Sequence, residues 1–208
     1  MTNRIKDQEA ILAKLNIYEL NPMQEDAIRV IKDHTNIILL SPTGTGKTLA
    51  FSLPLLQSLD PSSREIQALI LVPSRELAIQ IEQVIRSMGS GFKINAVYGG
   101  RSMAKDKVEL KHLPAILIGT PGRISDHFSN NRFTKKHIKT IILDEFDKSL
   151  EVGFEYEMRG IISKLPSINK RILTSATQGV EIPSFVQLNK PKTVNYLGTS
   201  TTKLQLKT

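Results

Sequence analysis

The sequence predicts an α/β fold, a doubly wound and mainly parallel sheet of about seven strands with helices on both faces. Short apolar runs rich in Ile, Leu and Val recur along the whole chain. Uninterrupted apolar runs of this length are typical of strands that are buried on both faces. Between the runs, apolar residues recur with helical spacing, as at Leu77, Ile81 and Ile85. Because strand and helix alternate, the crossovers are expected to be right-handed.

The elements follow one another in a simple order. Two helices are expected within residues 5–32, separated by a turn near Asn21 and Pro22. The alternation then continues to residue 197, so residues 1–197 are predicted to form one domain. The polar tail 198–208 is predicted to begin a linker. The expected strands are 36–40, 68–72, 94–97, 115–118, 140–143, 171–174 and 193–196.

Composition narrows the functional classes. The 208 residues are 40% hydrophobic and 23% charged, which is ordinary globular composition. No cysteine occurs, which excludes disulfides, cysteine-based zinc sites and thiol nucleophiles and fits a reducing, cytoplasmic setting. The net charge of +8 favours a polyanionic partner such as nucleic acid, although a charged face kept for solubility is the alternative. Aromatics are only 5%, so contacts to phosphates are favoured over base stacking.

A glycine-rich loop between the first strand and the next helix is the strongest motif. Gly44 and Gly46 let the backbone curl so that its N–H groups can point at a phosphate. Lys47 is placed to reach the β and γ phosphates, and the Thr48 hydroxyl to ligate Mg²⁺. The sequence has Ser41 at the first position of the loop, where the motif pattern expects glycine. The complete loop is Ser41, Pro42, Thr43, Gly44, Thr45, Gly46, Lys47 and Thr48.

An acidic cluster follows the fifth predicted strand. Asp144 is expected to hold Mg²⁺ from the side opposite to Thr48, provided that the first and fifth strands are neighbours. Glu145 is the candidate base or orienting group for an attacking water. The alternative is an acidic helix N-terminus, in which Asp and Glu only favour the helix dipole.

Taken together, the motifs resemble those of the DEAD-box RNA helicases. The resemblance covers about residues 5–197 and implies a RecA-like domain that binds ATP and Mg²⁺. The matching segments, in the order of the family, are 21–24, 41–48, 73–80, 99–100, 120–123, 144–147 and 175–177.

For the nucleotide, the resemblance implies that Gln24 recognises adenine. Asn21 and Gln24 also fit the N-cap and N3 positions of a capping box, and both roles can hold together. The resemblance further implies that Asp147, Ser175 and Thr177 couple the nucleotide site to RNA binding. Ser175 and Thr177 as simple turn residues are the alternative.

For RNA, the resemblance implies that three segments grip the sugar-phosphate backbone with little sequence preference. The alternative is ordinary helix capping by Ser74 and Thr120, with Arg75 and Arg123 solvated or Arg75 paired with an internal acid. The RNA-binding residues implied are Pro73, Ser74, Arg75, Glu76, Gly99, Gly100, Thr120, Pro121, Gly122 and Arg123.

The sequence departs from the family pattern at several positions. Phe146 replaces Ala in the acidic motif, while Ile17 and Leu20 stand where an aromatic residue and Pro are usual. These changes bear on adenine affinity. The family also needs a second RecA-like domain with arginine fingers, and no such motif follows residue 177. We therefore expect this chain alone to bind ATP but to hydrolyse it poorly.

The resulting hypothesis is the ATP-binding core of an ATP-dependent RNA helicase. Two other functions stay open at this point. One is a module that holds RNA under the control of ATP without turnover. The other is a P-loop ATPase that acts on DNA or on a protein partner.

Overall fold

The computed structural model describes residues 7–198, and the polar tail beyond Gly198 lies outside the described part of the chain. Two helices come first, α1 (Gln8–Lys14) and α2 (Pro22–Asp33), as the sequence indicates. Asp7 caps α1, because its carboxylate accepts a hydrogen bond from the N–H of Ala10 at 2.9 Å. Seven strands and six further α-helices follow in these residues, together with a short 3₁₀ turn at Ser184–Val186.

The strands lie close to the predicted runs and differ from them by one residue at most at either end. They are β1 (Asn36–Leu40), β2 (Ala68–Leu71), β3 (Ile94–Val97), β4 (Ile116–Gly119), β5 (Thr140–Leu143), β6 (Lys170–Ser175) and β7 (Lys192–Asn195). The helices between them are α3 (Lys47–Ser58), α4 (Arg75–Ser87), α5 (Met103–Glu109), α6 (Pro121–Ser129), α7 (Phe146–Glu151) and α8 (Glu155–Ile162).

All seven strands form one parallel sheet in the order β3-β4-β2-β5-β6-β1-β7. The predicted α/β architecture is therefore confirmed. The assumption that β1 and β5 are neighbours is wrong, because β6 pairs with both of them and lies between. Their carboxyl ends still meet at the same edge of the sheet, which is where ligands bind in open α/β folds.

Each face of the sheet carries its own hydrophobic core. Successive residues of a strand point to opposite faces, so Leu69 and Ile70 enter different cores, and both are fully buried. Helices α1 to α4 cover one face, while α6, α7, α8 and the 3₁₀ turn cover the other. Among the helices that the structure describes, none has the length and hydrophobicity needed to cross a membrane.

Candidate functional site

The phosphate loop lies between β1 and α3 and bends at two glycines. Gly44 and Gly46 have φ angles of 77° and 87°, in the left-handed region that side chains other than glycine seldom adopt. Helix α3 begins directly after them, at Lys47, and no side chain of the described residues caps its first turn. The free amide groups and the positive end of the helix dipole therefore face the same space, which suits an anion.

Lys47 folds back over this loop. Its ammonium group donates hydrogen bonds to the carbonyls of Ser41, at 2.6 Å, and Pro42, at 2.8 Å. Burial lowers the pKa of Lys47, and the negative charges of Asp144 and Glu145 oppose that effect. The ammonium group is therefore held beside the acidic cluster, with acceptors that a phosphate could replace.

Ser41 fits into the loop although the pattern expects glycine there. The side chain is fully buried, and its hydroxyl lies 2.6 Å from that of Thr45, which itself donates to the carbonyl of Pro42 at 2.9 Å. These bonds tie Thr45, in the middle of the loop, to Ser41 and Pro42 at its start. Ser41 thus supports the loop conformation in this chain.

Gln24 forms the capping box that the sequence allowed as one of its two roles. The N–H of Gln24 donates to the Asn21 side chain at 2.9 Å, and the N–H of Asn21 donates to the Gln24 side chain at 3.0 Å. The Gln24 amide nitrogen also donates to the carbonyl of Gly46 at 3.4 Å. A Cβ atom at Gly46 would lie only 2.3 Å from that nitrogen, so this contact requires glycine. Adenine recognition by Gln24 stays a prediction.

Asp144 is buried at the end of β5. The hydroxyl of Thr174, on β6, donates to the Asp144 carboxylate and accepts from the N–H of Glu145 at 3.1 Å. Burial raises the pKa of Asp144 from 3.8 to about 6, the Thr174 hydrogen bond opposes that rise, and the charge of Glu145 adds to it. Thr174 was missed in the sequence, because only the placement of β6 beside β5 makes it a neighbour of the acids.

Glu145 adopts an unusual backbone conformation at the start of α7. Its φ of 47° is left-handed, and it occupies the N-cap position without a capping hydrogen bond from its side chain. Such a conformation in a non-glycine residue costs of the order of 1–3 kcal/mol. The next residue, Phe146, is 2% exposed and packs into the hydrophobic core under α6, α7 and α8. This core therefore accommodates the phenylalanine that replaces the alanine of the family pattern.

The loop and the acids line one cleft of about 370 Å³. Thr48, Asp144 and Glu145 all contribute to its wall, as do Lys47 and Gly44. Gln80 of α4, the last residue of the matching segment 73–80, also lines the cleft, although the sequence predicts no role for it. The convergence expected of two segments almost one hundred residues apart is therefore present in the structure, even though β6 separates their strands.

The oxygen donors of the cleft fit Mg²⁺. Mg²⁺ is usually held by one or two carboxylates together with substrate phosphates, and it keeps several waters. Asp144 and the Thr48 hydroxyl can supply the protein's share of such a shell. The described residues contain no cluster of three or more acidic, histidine or cysteine side chains that could hold a metal ion by themselves.

The three residues with a predicted coupling role lie in contact. The Thr177 hydroxyl donates to the Asp147 carboxylate at 2.9 Å, and the Thr177 N–H donates to the Ser175 hydroxyl at 3.0 Å. This chain of hydrogen bonds links the carboxyl end of β6 to the first turn of α7. The coupling itself stays a prediction.

The segments predicted to bind RNA follow β2, β3 and β4, at the carboxyl edge of the sheet where the cleft lies. Some of their residues cap helices, and others form ion pairs or face open space. Ser74 caps α4 by accepting a hydrogen bond from the N–H of Leu77 at 3.1 Å, and Thr120 takes the N-cap position of α6 without a side-chain bond.

Arg75 pairs with Glu76 at 2.6 Å, but both side chains are well exposed, so Arg75 supports no internal acid. Gly99 and Gly100 face open space. Pro121 and Gly122 begin α6.

Arg123 is not solvated, and its guanidinium belongs to a buried ionic cluster. The fully buried carboxylate of Asp106 receives Arg123 at 2.7 Å, the Nε2–H of His127 at 2.9 Å and the guanidinium of Arg101 at 3.1 Å. Arg123 also donates to the carbonyl of Arg101 at 2.5 Å. Burial lowers the pKa of His127, although Asp106 opposes this. The predicted phosphate contact by the Arg123 side chain therefore competes with an internal partner.

Replacing Asp106 with asparagine is expected to destabilise the fold by about 3–5 kcal/mol, because Arg123 would lose its buried counter-charge and Arg101 would keep only its ion pair with Glu109. Urea denaturation at neutral pH measures the change in unfolding free energy. Asp126→Asn, on the exposed side of α6, is the matched control and should alter stability by less than about 0.5 kcal/mol. Equal stability of the Asp106 variant and this control would show that the cluster does not support the fold.

Replacing Asp144 with asparagine is expected to stabilise the fold at pH 7–8. The raised pKa of Asp144 means that the folded state loses stability as pH rises from about 4 to about 6, and this penalty persists above that range. Asparagine keeps an acceptor for Thr174 but cannot ionise, so the gain reaches up to about 3 kcal/mol. Urea denaturation of both proteins at pH 5 and pH 8 tests this, and a variant less stable than the parent at pH 8 would contradict it.

The fold and this cleft define a RecA-like P-loop domain. Comparison with known families shows which P-loop proteins this domain resembles, because the model of the DEAD/DEAH box helicase family matches residues 21–184. The chain therefore belongs to the DEAD/DEAH box helicase family.

Similar proteins agree with this assignment. The ATP-dependent RNA helicase CshA of Limosilactobacillus reuteri is 39% identical over 180 residues, which are 85% of this chain and 36% of that protein. The DEAD-box ATP-dependent RNA helicase CshA of Bacillus subtilis is 34% identical over 187 residues, which are 89% of this chain and 38% of that protein. The chain thus spans little more than a third of the length of these relatives.

Solved structures show the same fold. A DEAD box protein from Methanococcus jannaschii superimposes with a TM-score of 0.80 and 30% identity, covering 94% of this chain and 54% of that one. A hypothetical ATP-dependent RNA helicase from Sulfolobus tokodaii also gives a TM-score of 0.80, with 25% identity, and covers 91% of this chain and 57% of that one.

Proposed function

We propose that this chain is the ATP-binding domain of an ATP-dependent RNA helicase. In this proposal, hydrolysis of Mg²⁺–ATP is coupled to binding of the RNA backbone and to local separation of a duplex. A second RecA-like domain is needed for full activity. The single observation that carries the proposal is the cleft shared by Lys47, Asp144 and Glu145. A cytoplasmic setting is part of the proposal, because a chain without cysteine suits a reducing compartment.

In the proposed mechanism, the phosphate loop binds the triphosphate first. The Lys47 ammonium exchanges the carbonyls of Ser41 and Pro42 for phosphate oxygens, while the amides after Gly46 donate to the same group. Thr48 and Asp144 would hold Mg²⁺, and the bound ion would neutralise negative charge that develops on the phosphates. Gln24, already beside Gly46, is placed where an adenine contact would order the loop.

Glu145 then acts on the water. Its carboxylate orients the attacking water and accepts a proton as the new oxygen–phosphorus bond forms and the bond to the leaving ADP breaks. The left-handed backbone of Glu145 and the hydrogen bond that its N–H donates to Thr174 hold the residue at the wall of the cleft. Preorganisation of this kind reduces the cost of reaching the transition state.

RNA would lie along the carboxyl edge of the sheet, over the ends of β2, β3 and β4. Ser74, Gly99, Gly100 and the start of α6 offer hydroxyl and backbone donors there. Contacts of this type position a nucleic acid without reading its bases. Because Arg123 is held by Asp106, we assign the phosphate contacts of that segment to its backbone amides.

The experiment that tests the proposal compares RNA-stimulated ATPase and duplex unwinding for this chain alone and for a form extended by a second RecA-like domain. An arginine finger contributes about 10³–10⁵-fold to phosphoryl-transfer rates, so the extended form should hydrolyse ATP faster by at least about 10³-fold. Duplex DNA serves as the control polyanion. Equal stimulation by RNA and DNA would point instead to an ATPase with another substrate.

A further inference from the structure

The positive charge of the chain is concentrated at the edge of the sheet opposite to the cleft. Three segments that lead into β5, β6 and β7, the last two including the first residues of β6 and β7, carry nine basic residues and no acidic residue. We call the three segments, 132–139, 164–171 and 187–192, the basic belt. Its cations are Arg132, Lys135, Lys136, Lys139, Lys164, Lys170, Arg171, Lys190 and Lys192.

The three segments of the basic belt form one continuous surface. The N–H groups of Asn169 and Lys170 donate to the carbonyl of Lys139 at 2.9 and 3.1 Å, which joins the first segment to the second. The Arg171 guanidinium donates to the Gln187 side chain at 3.1 Å, which joins the second to the third. With neighbouring strands about 4.8 Å apart, the belt spans about 15 Å from β5 to β7.

Five of the nine cations of the belt are exposed and so available to a ligand. Lys135 and Lys170 instead donate hydrogen bonds to the carbonyls of Phe128 and Ile31, and Arg132 and Arg171 are partly buried. In the part of the chain that the structure describes, no carboxylate lies within ion-pair distance of any of the nine. Lys136, Lys139 and Lys164 are exposed, as are Lys190 and Lys192 of the third segment. The negative charge of Asp33 acts on the partly buried Lys170 and opposes the lowering of its pKa by burial.

The carboxyl edge of the sheet, where the cleft lies, lacks such an excess of positive charge. At the carboxyl ends of the strands, the charges of Lys47 and Arg75 are offset by Asp144, Glu145 and Glu76. Long-range attraction of a polyanion, which follows the summed charge of a surface, is therefore directed toward the belt. The aromatic residue of the first segment, Phe133, is 8% exposed and packs in the core, so it offers no surface for base stacking.

We propose that the basic belt is a second RNA-binding surface, which contacts the phosphate backbone and acts without ATP. The choice of RNA among polyanions rests on the proposed function. The existence of the basic surface does not, because it follows from the charges and contacts of the three segments. Such binding is independent of sequence and depends strongly on salt. It would keep RNA attached to the domain while the opposite edge passes through its ATP-dependent states.

The test measures binding of a fluorescently labelled 20-nucleotide single-stranded RNA by anisotropy, without nucleotide, over a series of salt concentrations. The belt variant is Lys136→Gln, Lys164→Gln and Lys192→Gln, with one exposed lysine from each segment. The control variant makes the same charge change on and just after α5, at the exposed Lys105, Lys107 and Lys111. Exposed substitutions of this kind should leave the melting temperature of both variants close to that of the parent, which checks folding.

We expect the belt variant to bind at least about tenfold more weakly at 50 mM salt, with its slope of log affinity against log salt reduced by about 2, and the control to bind like the parent. Unchanged affinity and slope in the belt variant, or an equal loss in the control, would overturn the proposal. Lys47→Ala separates this result from the proposed function. Nucleotide-free RNA binding through the belt should persist in that variant whether or not the domain hydrolyses ATP.

Discussion

Replacement of Glu145 with glutamine is expected to reduce ATP hydrolysis by about 10²–10⁴-fold while leaving Mg²⁺–ATP affinity within about threefold. Glutamine has the same size as glutamate, and the hydrogen bond from the backbone N–H of residue 145 to Thr174 can persist. The glutamine side chain, however, cannot accept the proton of the attacking water. The measurement is steady-state ATPase with saturating RNA, in the form that includes a second RecA-like domain.

Glu151→Gln is the matched control for that variant. Glu151 lies on the same helix, is well exposed and pairs with Lys148 at 2.7 Å, so its loss should change neither turnover nor affinity. Turnover at the parental rate in Glu145→Gln would remove Glu145 from the proton-transfer step. A joint loss of turnover and ATP affinity would instead assign Glu145 to nucleotide binding.

Replacement of Lys47 with alanine is expected to lower ATP affinity by about 10–150-fold. Hydrogen bonds to charged groups contribute about 1.5–3 kcal/mol each, and the variant loses the ammonium group that would meet the phosphates. The change also leaves the carbonyls of Ser41 and Pro42 without their present donor, so thermal denaturation should accompany the titration. Isothermal calorimetry gives the affinity directly.

Lys148→Ala is the control for the lysine variant, since it removes an exposed ammonium group from α7 outside the cleft. It should bind ATP as the parent does. If Lys47→Ala kept the parental affinity and a normal melting temperature, the glycine loop would not be the phosphate site.

The sheet could be predicted almost completely from the sequence, because its strands are buried on both faces and leave continuous apolar runs such as Ala68–Leu71. The order of the strands could not be read in the same way. β6 lies between β1 and β5, and local hydrophobicity carries no information about which strands pair. The acids nevertheless reach the loop, since all strands are parallel and end at one edge.

The parts of the site formed by a single segment were also predictable. The loop from Ser41 to Thr48 and the Asn21–Gln24 capping box have local patterns with a known physical basis. Thr174 and Asp106 could not be found in this way. Thr174 meets Asp144 across two strands, and Asp106 meets Arg123 across seventeen residues of chain. Both roles depend on tertiary contacts rather than on a motif.

We propose that the glycine loop and the acidic pair act together on one Mg²⁺-bound triphosphate. Calorimetric titration of ATP with and without Mg²⁺, on the parent chain and on Asp144→Asn, tests it most directly. We expect Mg²⁺ to strengthen ATP binding to the parent, and Asp144→Asn to lose most of this gain while it still binds free ATP through Lys47. An identical gain from Mg²⁺ in both proteins would contradict it.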